Sequence, residues 1–198
     1  MPSYLRVAIS LTAAAALGLA AATVARSQSP SPARPPALDD PTIVAIFDQA
    51  NTADIETSGL AAKKAVHEDV RALGRTFAEA HTQVRQQGRD LAKKLGVTPT
   101  PPKPDQGAMD HAAAMKKLRA AKGDEFDRAY LAHEVAYHRA VIDAINQTLL
   151  PAIKNPELKA FVVQVAPAFQ GHLVAAEKLA QKYGAQASAA PAAARSGR

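Results

Sequence analysis

The sequence predicts an all-α protein folded as a four-helix bundle, and three observations carry that expectation. Four long stretches place apolar residues three and four apart, the period of one helix face. Their ends carry helix start and stop residues at Asp40-Pro41, Gly96, Asp124 and Asn155-Pro156-Glu157. No alternation of apolar and polar residues long enough to mark a strand occurs in the chain.

The first helix is predicted to open at Asp40 as N-cap, with Pro41 in the first helical position, and to run to about Lys64. Its apolar face reads Ile43, Ile46, Phe47, Ala50, Thr57, Leu60 and Ala61. The second spans about Glu68 to Leu95, with Val70, Leu73, Phe77, His81, Val84, Gly88, Leu91 and Leu95 in one stripe, and Gly96 ends it. The third starts after Asp124, read as N-cap with Asp127 three positions on. It continues through Phe126, Tyr130, Leu131, Val141 and Ile145 to about Leu150. The fourth opens at Asn155-Pro156-Glu157 and carries Leu158, Val162, Val165, Phe169, His172, Ala176, Leu179 and Tyr183. Pro167 lies inside it and should kink the chain about one turn before His172.

Short links join helices one to two and three to four, so each pair should be an antiparallel hairpin. The segment Val97 to Gly123 is long enough to cross the bundle, and Met109 to Leu118 should form a short helix within it. Two hairpins joined by one long crossover is a ferritin-like arrangement.

The termini read differently. Residues 1–25 resemble an export signal, with Arg6 before an apolar stretch from Val7 to Val24 and small residues up to a cleavage point near Ala25. The competing reading is an uncleaved membrane anchor, against which the heavy Ala content argues. Residues 26–39, with Pro30, Pro32, Pro35 and Pro36, read as a disordered linker, and the Ala-rich residues 185–198 as a disordered tail. The folded unit is then 40–184, and its location exported and periplasmic.

Composition narrows the function classes. The absence of cysteine excludes a disulfide framework, thiolate metal sites, a cysteine nucleophile and a lipidated cysteine. Loss of residues 1–25 removes Arg6 alone, leaving 23 basic and 18 acidic residues, a net charge of +5. The basic residues are scattered, as at Lys63-Lys64, Lys93-Lys94 and Lys116-Lys117, so no nucleic-acid partner is expected. Weak association with an anionic membrane or envelope surface and a protein partner both stay open. No Gly-x-Ser-x-Gly and no Gly-rich phosphate loop is present.

The informative residues are the ionisable ones on faces that should be buried: Asp54, His81, Glu134, His138 and His172. Asp54 is 13 residues from Pro41, His81 13 from Glu68, His138 14 from Asp124 and His172 16 from Pro156. At about 1.5 Å per residue their heights differ by about 4 to 5 Å, so one layer should hold three imidazoles and one or two carboxylates. That donor set suits a single zinc, iron or manganese ion. The alternative is a metal-free hydrogen-bond network, with Tyr130 and Tyr137 as partners.

A di-iron oxidase site calls for Glu-x-x-His, but the residues three before His81, His138 and His172 are Ala78, Val135 and Phe169. His133 and His138 are one residue too far apart for a zinc-protease helix. His67 and His111 fall near a helix start or in the crossover and read as surface residues.

Taken together, Asp54-Ile55-Glu56 with Leu60-Ala61, then His81, Phe126-Asp127 with Tyr130 and His138, and Pro167 with His172 resemble the exported bacterial family named domain of unknown function 4142. The similarity spans about Pro41 to Tyr183. It implies a ferritin-like bundle and export, and no activity. The chain departs from the family pattern at Asp54, where Glu is usual, and at Ala80, where Asp usually precedes the histidine. The outer-membrane label sometimes attached to the family does not suit a helical bundle, because a spanning barrel is built of strands.

Two functions follow from this reading. One is a periplasmic, non-enzymatic bundle binding a metal ion through Asp54, His81, Glu134, His138 and His172. The other is a metal-free structural or interaction module.

Overall fold

The computed structural model describes residues 38–185. The predicted signal segment and most of the predicted linker and tail lie outside them. The described residues form an all-α bundle with five helices: α1 Asp40–Lys64, α2 Glu68–Lys94, α3 Gln106–Ala120, α4 Gly123–Ala144 and α5 Pro156–Lys182. A π-helical turn, Ile145–Leu149, and a last short turn, Leu150–Ala152, prolong α4.

Hydrogen bonds at the two ends fix the helix directions. At one end Asp40 accepts from the backbone N–H groups of Lys154 and Asn155 at 2.8 and 2.9 Å, so the start of α1 meets the turn into α5. At the other end Asp127, near the start of α4, accepts from the N–H of Val66 and of His67, both at 2.9 Å, in the α1–α2 turn. Tyr183, just past α5, donates to Asp69 at the start of α2 at 2.7 Å. Thus α1 and α5 run one way, and α2 and α4 the other. The most extensive packing is α1 on α2 and α4 on α5. The link after α2 begins beside the start of α1, where Thr100 N–H donates to Pro41 O at 3.1 Å. It then returns along α1 as α3, whose last carbonyls, Leu118 O at 3.1 Å and Arg119 O at 2.6 Å, accept from Lys64 Nζ.

Two predicted caps are corrected. The N-cap of α1 is Asp39, which accepts from Thr42 N–H at 2.9 Å, and this frees Asp40 for the opposite turn. The residue preceding α4 is Lys122, with no side-chain cap, while Asp127 caps α2 from across the bundle. Asn155 does cap α5, accepting from Glu157 and Leu158, and Gly96 closes α2 with φ of 67°. The helix α5 continues through Pro167. The unforeseen irregularity is the π turn, where Leu150 N–H reaches Ile145 O just before Pro151, a residue that cannot donate.

On α1 the buried rhythm is Phe47, Asn51, Asp54, Ser58 and Ala61. The predicted Ile46, Ala50 and Leu60 are only half-buried, because the inward face lies about one residue further round. At Gly74 a Cβ would come within 2.7 Å of Ser58 O and 2.8 Å of Ala62 N, so the backbones of α1 and α2 touch there.

The apolar core is in two parts. One gathers Ala61, Val70, Phe77, Leu118, Phe126 and Leu131 with their neighbours toward the α1–α2 turn. The other gathers Ile43, Phe47, Ile145, Leu158, Val162 and Phe169 toward the α4–α5 turn. Burial of the Val, Leu, Ile and Phe side chains among these contributes about 1.5–3 kcal/mol each. Between the two parts lies a layer that is polar and equally buried.

Candidate metal centre

That layer holds Asn51, Asp54, Thr57 and Ser58 from α1, His81 from α2, and Glu134 and His138 from α4. Their exposures run from 0% to 2%. His172 of α5 completes it at its half-buried edge. All five predicted residues are therefore brought together, one or two from each long helix.

Two triads are compact. Donor atoms of His81, His138 and His172 all lie within 4.8 Å of one another, and so do those of Asp54, Glu134 and His138. His81 Nε2 is 3.1 Å from His172 Nδ1 and 3.4 Å from Asp54 Oδ2, and His138 Nε2 is 3.7 Å from the same carboxylate oxygen. Glu134 Oε2 lies 3.5 Å from the other nitrogen of that ring, His138 Nδ1.

The orientation of each group is set from behind. His81 Nδ1–H donates to Asn51 Oδ1 at 2.9 Å, and Asn51 in turn donates to Phe47 O at 2.8 Å. His138 Nδ1–H donates to Glu134 O, one helical turn back, at 3.1 Å. Both bonds leave the Nε2 lone pair facing the centre. Ser58 donates to Asp54 Oδ1 at 3.0 Å and accepts from Tyr130 at 3.0 Å, so Asp54 Oδ2 also faces inward. Thr57 lies 3.2 Å from Glu134 Oε1. Among the described residues, Asp54 Oδ2, Glu134 Oε2 and His138 Nε2 are buried side-chain atoms without a hydrogen-bond partner. An unpaired polar group in such surroundings costs about 1–3 kcal/mol, and more if charged.

Aromatic rings close the layer on both sides. Phe77 stacks on His172 with centroids 4.2 Å apart, and Phe169 meets His81 edge-on at 5.3 Å. In this dry environment burial pushes the His81 imidazole down to about 2, with further depression from His138 and His172. Burial likewise takes His138 to about 3 and lowers His172. The rings are therefore neutral, the form that binds metals. Burial acts oppositely on the acids: it raises Asp54 to about 7, and holds Glu134 well above the ordinary carboxylate value with help from the Asp54 charge.

Of the two predicted tyrosine partners, one joins the network through Ser58 and the other bonds backbone. Tyr130 pairs with Ser58, and Tyr137 donates to Ala50 O at 2.8 Å. Neither bonds a histidine. Asn51, Thr57 and Ser58 are site residues that the sequence reading missed. The signal was present in the three- and four-residue rhythm from Phe47 through Asn51, Asp54 and Ser58. His67, expected at the surface, is half-buried against Asp127 at 2.9 Å and meets the Tyr183 ring at a tilt of 38°, with centroids 4.2 Å apart. His111 bonds Glu56 at 2.8 Å.

No curated protein sequence matches the chain. Among solved structures, a DUF305 protein from Streptomyces coelicolor, described as secreted, is similar with TM-score 0.62 and 18% identity. The match covers 75% of this chain and 96% of that one. CopM in its Cu(II)-bound form is similar with TM-score 0.57 and 14% identity over 73% of this chain and 98% of that one. At these identities the likeness is one of fold. Among the described residues no helix is long and apolar enough to cross a membrane. The family model for the domain of unknown function DUF4142 matches residues 14–179, and the chain belongs to that family.

Proposed function

We propose that the protein is an exported helical bundle that holds one divalent first-row transition-metal ion in its central polar layer, among Asp54, His81, Glu134, His138 and His172. The observation that carries this reading is the convergence of three buried, unpaired acceptors, Asp54 Oδ2, Glu134 Oε2 and His138 Nε2. Each would be costly beside apolar rings, and a cation would engage Asp54 Oδ2 and His138 Nε2 directly while balancing the charge of the Glu134 carboxylate beside them. The neutral histidines offer lone pairs without first losing a proton, and a cation would draw the raised carboxylates toward their charged form. A copper-bound structure of similar fold adds support, and makes copper a candidate beside zinc, iron and manganese. Export rests on the leader-like first 25 residues and on a structural relative described as secreted.

The test is elemental analysis of the mature protein purified without an affinity tag, beside a His81→Ala/His172→Ala variant. Near-stoichiometric metal in the first and none in the second is the expected result. A wild type that carries no metal and takes up none on titration overturns the proposal and leaves the network as a structural device.

A further inference from the structure

The five residues do not face the same point, and their differences assign separate roles. Asp54 Oδ2 faces the inward nitrogens, 3.4 Å from His81 Nε2 and 3.7 Å from His138 Nε2, while His81 Nε2 continues to His172 Nδ1 at 3.1 Å. A tetrahedral ion with bonds of about 2.0–2.1 Å has donor–donor edges of about 3.3 Å, and the three contacts that link these four atoms in a chain, at 3.1, 3.4 and 3.7 Å, are near that length. Glu134 stands differently. Its Oε2 is 3.5 Å from the rear nitrogen of His138, the same Nδ1 that bonds the Glu134 carbonyl at 3.1 Å, and its Oε1 is beside Thr57. Asn51 occupies the equivalent place behind His81.

Resting on the metal-binding reading above, we infer that the ion is held by His81 Nε2, His138 Nε2, His172 Nδ1 and Asp54 Oδ2, and that Glu134 and Asn51 are positioning residues acting through His138 and His81. An acceptor behind a ligating imidazole fixes its tautomer and raises its basicity. Asn51 Oδ1 accepts behind His81, and behind His138 the Glu134 carbonyl accepts while the Glu134 carboxylate, 3.5 Å from the same nitrogen, adds negative charge. Here α1 serves the ring of α2, and α4 serves its own. His172 is the exception: its Nδ1–H donates to His81 Nε2, so on binding the proton moves to Nε2 of a ring that is already half-exposed.

Three imidazoles, one carboxylate and no sulfur make a borderline donor set. It suits Cu(II) or Zn(II), disfavours Cu(I), and offers too few oxygens for Mg(II) or Ca(II).

Two measurements test the assignment on the full mature chain. The first is electron paramagnetic resonance of the protein loaded with Cu(II) alone. Three coupled nitrogens are expected in the wild type and two in His172→Ala. Glu134→Gln should keep one ion and the three-nitrogen signature while losing about 10- to 100-fold in affinity, whereas Asp54→Asn should change the signature itself. Loss of the ion from Glu134→Gln, or a change of its spectrum like that of Asp54→Asn, overturns the role given to Glu134. The second needs no variant: long-range 1H–15N spectra of the Zn(II)-loaded wild type should show His81 and His138 bound through Nε2 and His172 through Nδ1. Binding of His138 through Nδ1 refutes the inference while the metal site itself stands. A wild type that takes up neither ion defeats the underlying reading as well.

Discussion

Asn51 Oδ1 stands 2.9 Å from Nδ1 of His81, and the same asparagine donates to Phe47 O, so its amide can face only one way. This one contact fixes which nitrogen of His81 looks into the centre of the bundle. Replacing Asn51 by Ala should therefore weaken the binding of Zn(II) by about 10- to 100-fold. Calorimetric titration checks this, and an unchanged Kd would show that His81 keeps its tautomer unaided.

The pH response should change sign with the metal. In the metal-free protein Asp54 ionises near 7 instead of 3.8, and Glu134 well above 4.5. Between the unfolded and folded values the folded state holds more protons than the unfolded chain, so stability falls as pH rises. The histidines act oppositely, since burial lowers their values and the unfolded chain protonates first below 6.5. Stability contributed by the neutral rings is thus lost as pH falls below 6.5. Above 6.5 only the carboxylates remain active. Urea midpoints of chelator-treated protein should therefore decrease from pH 6.5 to above 7, whereas those of metal-loaded protein should rise or hold, because protons no longer compete for the ligands.

Asp127→Ala removes the acceptor for two backbone N–H groups at the start of α2 and should cost about 2 kcal/mol. Asp124→Ala, at the exposed start of α4, should change stability by less than about 0.5 kcal/mol. Thermal denaturation followed by circular dichroism compares the two, and equal effects would contradict the cross-bundle cap.

Gly74→Ala places a methyl group 2.7 Å from Ser58 O, against backbone that has no rotamer to change. The helices must part there, with an expected loss of about 1–3 kcal/mol. Because Ser58 also orients Asp54, metal affinity should fall with stability. A stable variant with full affinity would show that the α1–α2 contact has slack.

The helix spans were legible because their signals are local: Asn155-Pro156-Glu157 opens α5 and Gly96 closes α2 wherever the rest of the chain lies. The convergence of Asp54, His81, Glu134, His138 and His172 was also legible, since polar residues on apolar stripes at matched heights must meet if the stripes do. The use of Asp127 and Asp40 was not. Each lies beside a helix start that it could cap, yet caps another element, and which N–H a carboxylate reaches is decided by packing. Asn51 was missed for a smaller reason: reading the α1 stripe through Ala50 placed the face about one residue off. The partner of Glu134 could not be read at all, because the nitrogen of His138 that it approaches depends on a ring rotation.

The proposed ligands come one from each of the four long helices, joining positions from 54 to 172 along a chain that contains no cysteine. An ion seated there is a reversible four-way cross-link at the waist of the bundle, clamping two apolar halves that otherwise adhere through separate contacts. Such a fastening would be made or released by ion supply alone, with no oxidant or reductant required, and the rigidity of the whole fold would then report how much metal surrounds it.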